Sequence, residues 1–82
     1  MTGPTVTVEI QAGGAFDVNA LAKKLAQKLG SNNYQASRRN QTSKIIINYD
    51  GELELVRNAI DIGEVTDVNI TTRTIIVRVE DD

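Results

Sequence analysis

Asp50-Gly51-Glu52-Leu53-Glu54-Leu55-Val56-Arg57-Asn58-Ala59-Ile60-Asp61-Ile62-Gly63 is the stretch on which the fold turns. As a hairpin, Asp50-Gly51 makes a type I′ turn and Glu52-Leu53-Glu54-Leu55 alternates away from it. As a helix, Asp50 is the N-cap, Leu53, Val56, Ala59 and Ile60 share one face, and Gly63 closes it. The hairpin accounts for only the first part of the stretch, the helix for all of it. The helix is therefore taken over residues 52–62, with the hairpin strand as the alternative.

The segments on either side read more simply. Upstream, Ser43 to Tyr49 carries Ile45, Ile46 and Ile47 in a row, the mark of a central strand covered on both faces at least in part. Before it lie a polar loop tip, Arg39 to Thr42, and a weaker strand, Tyr34 to Arg38. Downstream, Glu64 to Thr71 reads as a strand through Val65, Val68 and Ile70. A short Thr72-Arg73 turn leads to a last strand, Thr74 to Glu80, with Ile75, Val77 and Val79 on one face. Near the start, Thr5 to Gln11 alternates strictly, placing Val6, Val8 and Ile10 on one face.

Between that first strand and Tyr34 lies an unambiguous helix. Val18, Leu21, Ala22, Leu25 and Leu29 draw one apolar stripe. Asp17 stands at the N-cap, and Phe16 with Leu21 is spaced as a hydrophobic staple. Gly30 is suited to a left-handed C-terminal cap, and Lys28 to the negative end of the dipole.

The order β-α-β-β-α-β, with a possible extra C-terminal strand, predicts an α+β two-layer sandwich: an antiparallel sheet with two helices on one face. It resembles the ferredoxin-like split β-α-β topology, a resemblance of element order that carries no functional motif. With 82 residues, the chain is read as a single domain spanning 1–82.

Composition narrows the chemistry. There is no cysteine, which removes disulfides, thiolate metal sites and cysteine nucleophiles. There is no histidine, which removes the usual general base and the commonest transition-metal ligand. Gly13-Gly14 before a helix could cradle a phosphate, but Asp17 sets a carboxylate where the anion would sit, and neither a Lys-Ser/Thr pair nor a third glycine follows. Glu52 and Glu54 diverge on a helix, and Asp81-Asp82 is a chain end, so no acid pair or cation loop is formed. No catalytic residue, cofactor or metal site is expected. Nor is a membrane span or secretory leader, because no long apolar run occurs. A cytoplasmic, non-enzymatic protein is the expectation.

Charge offers the remaining clue. Residues 1–44 hold six bases and two acids, net +4, whereas residues 45–82 hold three bases and nine acids, net −6. Lys23, Lys24 and Lys28 on the first helix, with Arg38 and Arg39, could track a nucleic-acid backbone, which is the alternative function. The bland explanation is a basic helix lying beside an acidic one that carries Glu52, Glu54 and Asp61. Against nucleic acid, the helix-free sheet face lacks the stacking aromatics of an RNA reader. That face shows Thr7, Glu9, Lys44, Ile46, Asn48, Ile76 and Arg78.

The favoured reading is a protein-protein interaction or assembly module. Its expected contact residues are Ile46, Ile76, Arg78 and Lys44, and Thr74 to Glu80 is expected to be an edge strand open to strand addition. A weak homodimer or hetero-contact through this face or edge is expected, which Ile46→Asp or Ile76→Asp should weaken without unfolding the chain.

Overall fold

The disputed stretch is a helix, but a shorter one than its spacing suggests. The computed structural model describes residues 3–12, 17–39, 42–61 and 63–79. Within them run β1 (Thr5–Ala12), α1 (Val18–Lys28), β2 (Tyr34–Arg39), β3 (Thr42–Asn48), α2 (Leu53–Ala59), β4 (Glu64–Asn69) and β5 (Thr74–Val79). Gly13-Gly14, Phe16, Asn40-Gln41, Ile62 and Glu80-Asp81-Asp82 lie outside the described residues.

In α2 the N-cap position belongs to Glu52, whose side chain makes no capping bond, and not to Asp50. Asp50-Gly51 instead forms the bend out of β3. A Cβ at Gly51 would overlap the outer end of the Tyr49 ring, so any larger residue there must displace that side chain. The helix stops at Ala59, since Ile60 is already extended. Leu53 and Val56 supply its buried face. Gly63 does not cap the helix; it takes a left-handed φ of 63° at the entrance to β4.

The first helix follows its sequence marks. Asp17 Oδ1 accepts from the Ala20 amide at 3.1 Å. Val18, Leu21, Ala22, Leu25 and Ala26 are buried, and Leu29 is half-buried. At the far end Gly30 adopts a φ of 74°. Its amide donates to the Gln27 carbonyl at 3.2 Å and the Ser31 amide to the Ala26 carbonyl at 2.8 Å, the paired closure of a Schellman motif.

The sheet departs from expectation in order and direction. It has five strands in the order β2-β3-β1-β5-β4. β1 pairs antiparallel with β3 but parallel with β5, so the sheet is mixed and not antiparallel. A ferredoxin-like order would set the strand after α2 against β1; here β4 goes to the rim and β5 takes the inner place. The cause is polarity. β4 carries Glu64, Thr66, Asp67 and Asn69, with one residue half-buried, whereas β5 offers Ile75 and Val77 for full burial. The expectation that Thr74 to Glu80 is an edge strand is therefore corrected: the edges are β2 and β4. β4 also ends earlier than expected, at Asn69, leaving Ile70 in the turn at 80% exposure.

Side-chain alternation then settles the two layers. Val6, Val8, Ile10, Ile45, Ile47, Ile75 and Val77 are all nearly inaccessible and join the apolar faces of α1 and α2 in one core. Fully burying a side chain such as Leu25 contributes about 2–3 kcal/mol. The opposite face of the sheet has no helix among the described residues.

Arg73 ties the ends of this arrangement together. Its Nε donates to the Thr5 carbonyl at 3.1 Å, and its Nη2 to the carbonyls of Tyr49 and Gly51 at 3.0 and 2.8 Å. One half-buried guanidinium thus joins the start of β1, the end of β3 and the approach to α2. Its backbone pays with a φ of 52°, and its carbonyl accepts from the Thr7 amide at 2.9 Å. Nothing in the spacing around Thr72-Arg73 marks this role.

Candidate protein-docking face

Strand register lays out the open face in rows. One row runs Gln35, Ile46, Thr7, Thr74, Asn69; the next runs Ser37, Lys44, Glu9, Ile76, Asp67; the third runs Arg39, Thr42, Gln11, Arg78, Glu64. Ile46 and Ile76 are half-buried, whereas Lys44 and Arg78 are exposed, so all four expected contact residues do share this face. They do not form one patch. Ile46 and Ile76 stand two strands and one row apart, roughly 12 Å from the standard strand spacing and rise. Thr7 and Glu9 lie between them. Lys44 Nζ meets Glu9 Oε1 at 3.8 Å, and Arg78 faces Glu64 across β4.

The basic residues divide between the two sides of the molecule. Lys24 and Lys28 belong to the helix layer, where both reach Asp61 Oδ2, at 3.2 and 3.3 Å. Lys28 also donates to the Ala59 carbonyl at 3.1 Å. These contacts bind α1 to the end of α2, the charge pairing anticipated between the helices. The acid responsible is Asp61; Glu52 and Glu54 join none of the ion pairs among the described residues. Hydrogen bonds from Lys24 and then Lys28 hold the Asp61 carboxyl below its ordinary value of 3.8. Lys23 is exposed on α1. Arg39 lies on the open face, and Arg38 alternates to the other side of β2. Arg38 and Arg39 meet with Ser37, Thr42, Lys44 and Glu9 around a shallow corner groove, away from the Lys24–Asp61–Lys28 cluster.

The described residues hold no group of three acidic side chains able to bind a metal. Ser43 is the one buried polar side chain among them, at 1% exposure, and its Oγ has no hydrogen-bond partner. No helix among them is long and apolar enough to cross a membrane. Compared with known protein families, curated proteins and solved structures, the chain matches none.

Proposed function

We propose that this protein is a non-enzymatic interaction module that docks a protein partner on the open face of its sheet. The observation that supports this is the uncovered face itself, where Ile46 and Ile76 stand half-buried among threonines and paired charges. The partner surface would offer an apolar contact to each isoleucine and a mixed polar rim to Lys44, Glu9 and Arg78. A reducing cytoplasm suits a chain whose stability owes nothing to disulfides.

The test is substitution at both isoleucines, with complexes from the source lysate quantified by native mass spectrometry. Ile46→Asp is suitable because Thr7 and Gln35 flank it. At position 76 a lysine is needed, because aspartate would sit between Glu9 and Asp67 and unfold the strand for unrelated reasons. Capture of the partner should fall at least tenfold while the melting temperature stays nearly constant. Unchanged capture, or a variant that unfolds, defeats the reading.

A further inference from the structure

The two edges of the sheet are not equivalent. Asn48 N–H donates to the Asn33 carbonyl at 3.0 Å, which makes this a hydrogen-bonded position of the antiparallel β2–β3 ladder. Antiparallel alternation then assigns Gln35–Ile46, Ser37–Lys44 and Arg39–Thr42 as the further bonded pairs. The neighbouring ladder agrees: Tyr49 N–H donates to the Pro4 carbonyl, so the odd-numbered residues of β3 face β1. The N–H and C=O of Tyr34 and Ala36 consequently point outward, away from the sheet. No backbone partner meets them among the described residues.

β4 is defended where β2 is not. A bulge between Val65 and Asp67 breaks its ladder. The Asp67 carboxylate accepts from the Val68 amide at 3.0 Å, covering an outward donor, and Glu64 adds a second acid. A bulge is a usual guard of an edge. β2 has none: its six residues pair with β3 in unbroken register, without proline or glycine, and its charges are Arg38 and Arg39.

We infer that β2 is a self-association edge, on which a second copy of this chain adds its own β2 antiparallel, centred on Ala36. The charges choose the direction. With Ala36 opposite its counterpart, Tyr34 faces Arg38 of the second copy, a pairing of ring and guanidinium. The two Arg38 side chains then lie about 14 Å apart along the ladder, beyond the ~8 Å screening length at physiological salt. Parallel pairing would stack arginine on arginine at strand spacing, about 5 Å apart. Outward groups belong to Tyr34 and Ala36, so this register makes Ala36–Ala36 a hydrogen-bonded pair. The product is a continuous ten-strand sheet with helices on one side, and it doubles the open face. The inference rests on the edge alone and does not depend on that face being a docking site.

The chain has no cysteine, so single cysteines report the geometry cleanly. Ala36→Cys sets two thiols across a bonded pair with Cα atoms about 5.5 Å apart, within disulfide range. Under mild oxidation it should form covalent dimers at least tenfold faster than Gln27→Cys, an exposed helix position. Ala36→Pro should abolish the dimer seen by sedimentation equilibrium. It removes an outward N–H and spares every β2–β3 bond, so its melting temperature should match that of the dissociated wild type. Should proline unfold the chain, the cysteine rates decide alone. Equal rates for Ala36→Cys and Gln27→Cys, or a wild type that stays monomeric at near-millimolar concentration, overturn the inference. So does capture of an unrelated extended peptide on β2 without self-association. Ile46→Asp and Ile76→Lys should leave the Ala36→Cys rate unchanged, which separates this surface from the open face.

Discussion

Removing the Arg73 side chain tests how the ends of the sheet are held. Its guanidinium donates to three backbone carbonyls at 2.8–3.1 Å, and among the described residues no carboxylate forms an ion pair with it. A hydrogen bond from a charged group contributes about 1.5–3 kcal/mol when fully sheltered. Here the group is half-buried and the carbonyls at this rim can recover water, so Arg73→Ala should cost about 2–4 kcal/mol in total. That is a large share of the about 4–12 kcal/mol expected for a chain of this size. The backbone acts in the other direction: a φ of 52° penalises any residue with a Cβ. Arg73→Gly loses the same bonds but recovers about 1 kcal/mol of left-handed strain. Arg73→Lys keeps one donor group and cannot span the three acceptors, so it should fall between wild type and glycine. Urea unfolding at constant m should rank the variants wild type, lysine, glycine, alanine. Because the acceptors are neutral, the ranking should survive a change from low to high salt. An alanine variant as stable as wild type would refute the clamp. A glycine variant less stable than alanine would refute the strain.

Asp61→Asn should lower the melting temperature at neutral pH by releasing Lys24 and Lys28. The folded-state carboxyl lies below its ordinary 3.8, so its contribution is complete above that value and fades as pH falls through the lowered one. The gap between variant and wild type should therefore narrow as pH falls below 3.8 in thermal melts, and a gap that does not narrow on acidification would contradict the assignment. Gly63→Ala and Gly30→Ala should separate by urea midpoint. Both glycines have left-handed φ, but a Cβ at Gly63 meets the Arg78 carbonyl and Val79 Cγ2, while nothing lies within 4 Å at Gly30. About 1 kcal/mol is expected at Gly30 and at least twice that at Gly63, and equal losses would mean the crowding relaxes freely. Ser43→Ala should be neutral or stabilising by up to about 1 kcal/mol, because it removes a buried hydroxyl without a partner. A clear destabilisation would show that the hydroxyl is bonded after all.

What the sequence determined by itself was local. Asp17 and Gly30 bound α1 because caps act within one helical turn, and period-2 alternation separated Val6, Val8 and Ile10 from Thr7 and Glu9. The same alternation placed Ile46, Ile76, Lys44 and Arg78 on one face, since parity within a strand survives any choice of neighbour. Which strands become neighbours is a competition between segments far apart in the chain. β5 won the place beside β1 because Ile75 and Val77 gain more from burial there than the polar β4 would. That choice moved the second open edge to β4, while β2, beyond β3, is an edge in either order; it is the pairing with β3 that turns the backbone groups of Tyr34 and Ala36 outward. The Asp61 pairing and the Arg73 clamp are of the same kind. Each joins residues more than twenty positions apart, at distances that packing decides and spacing does not record.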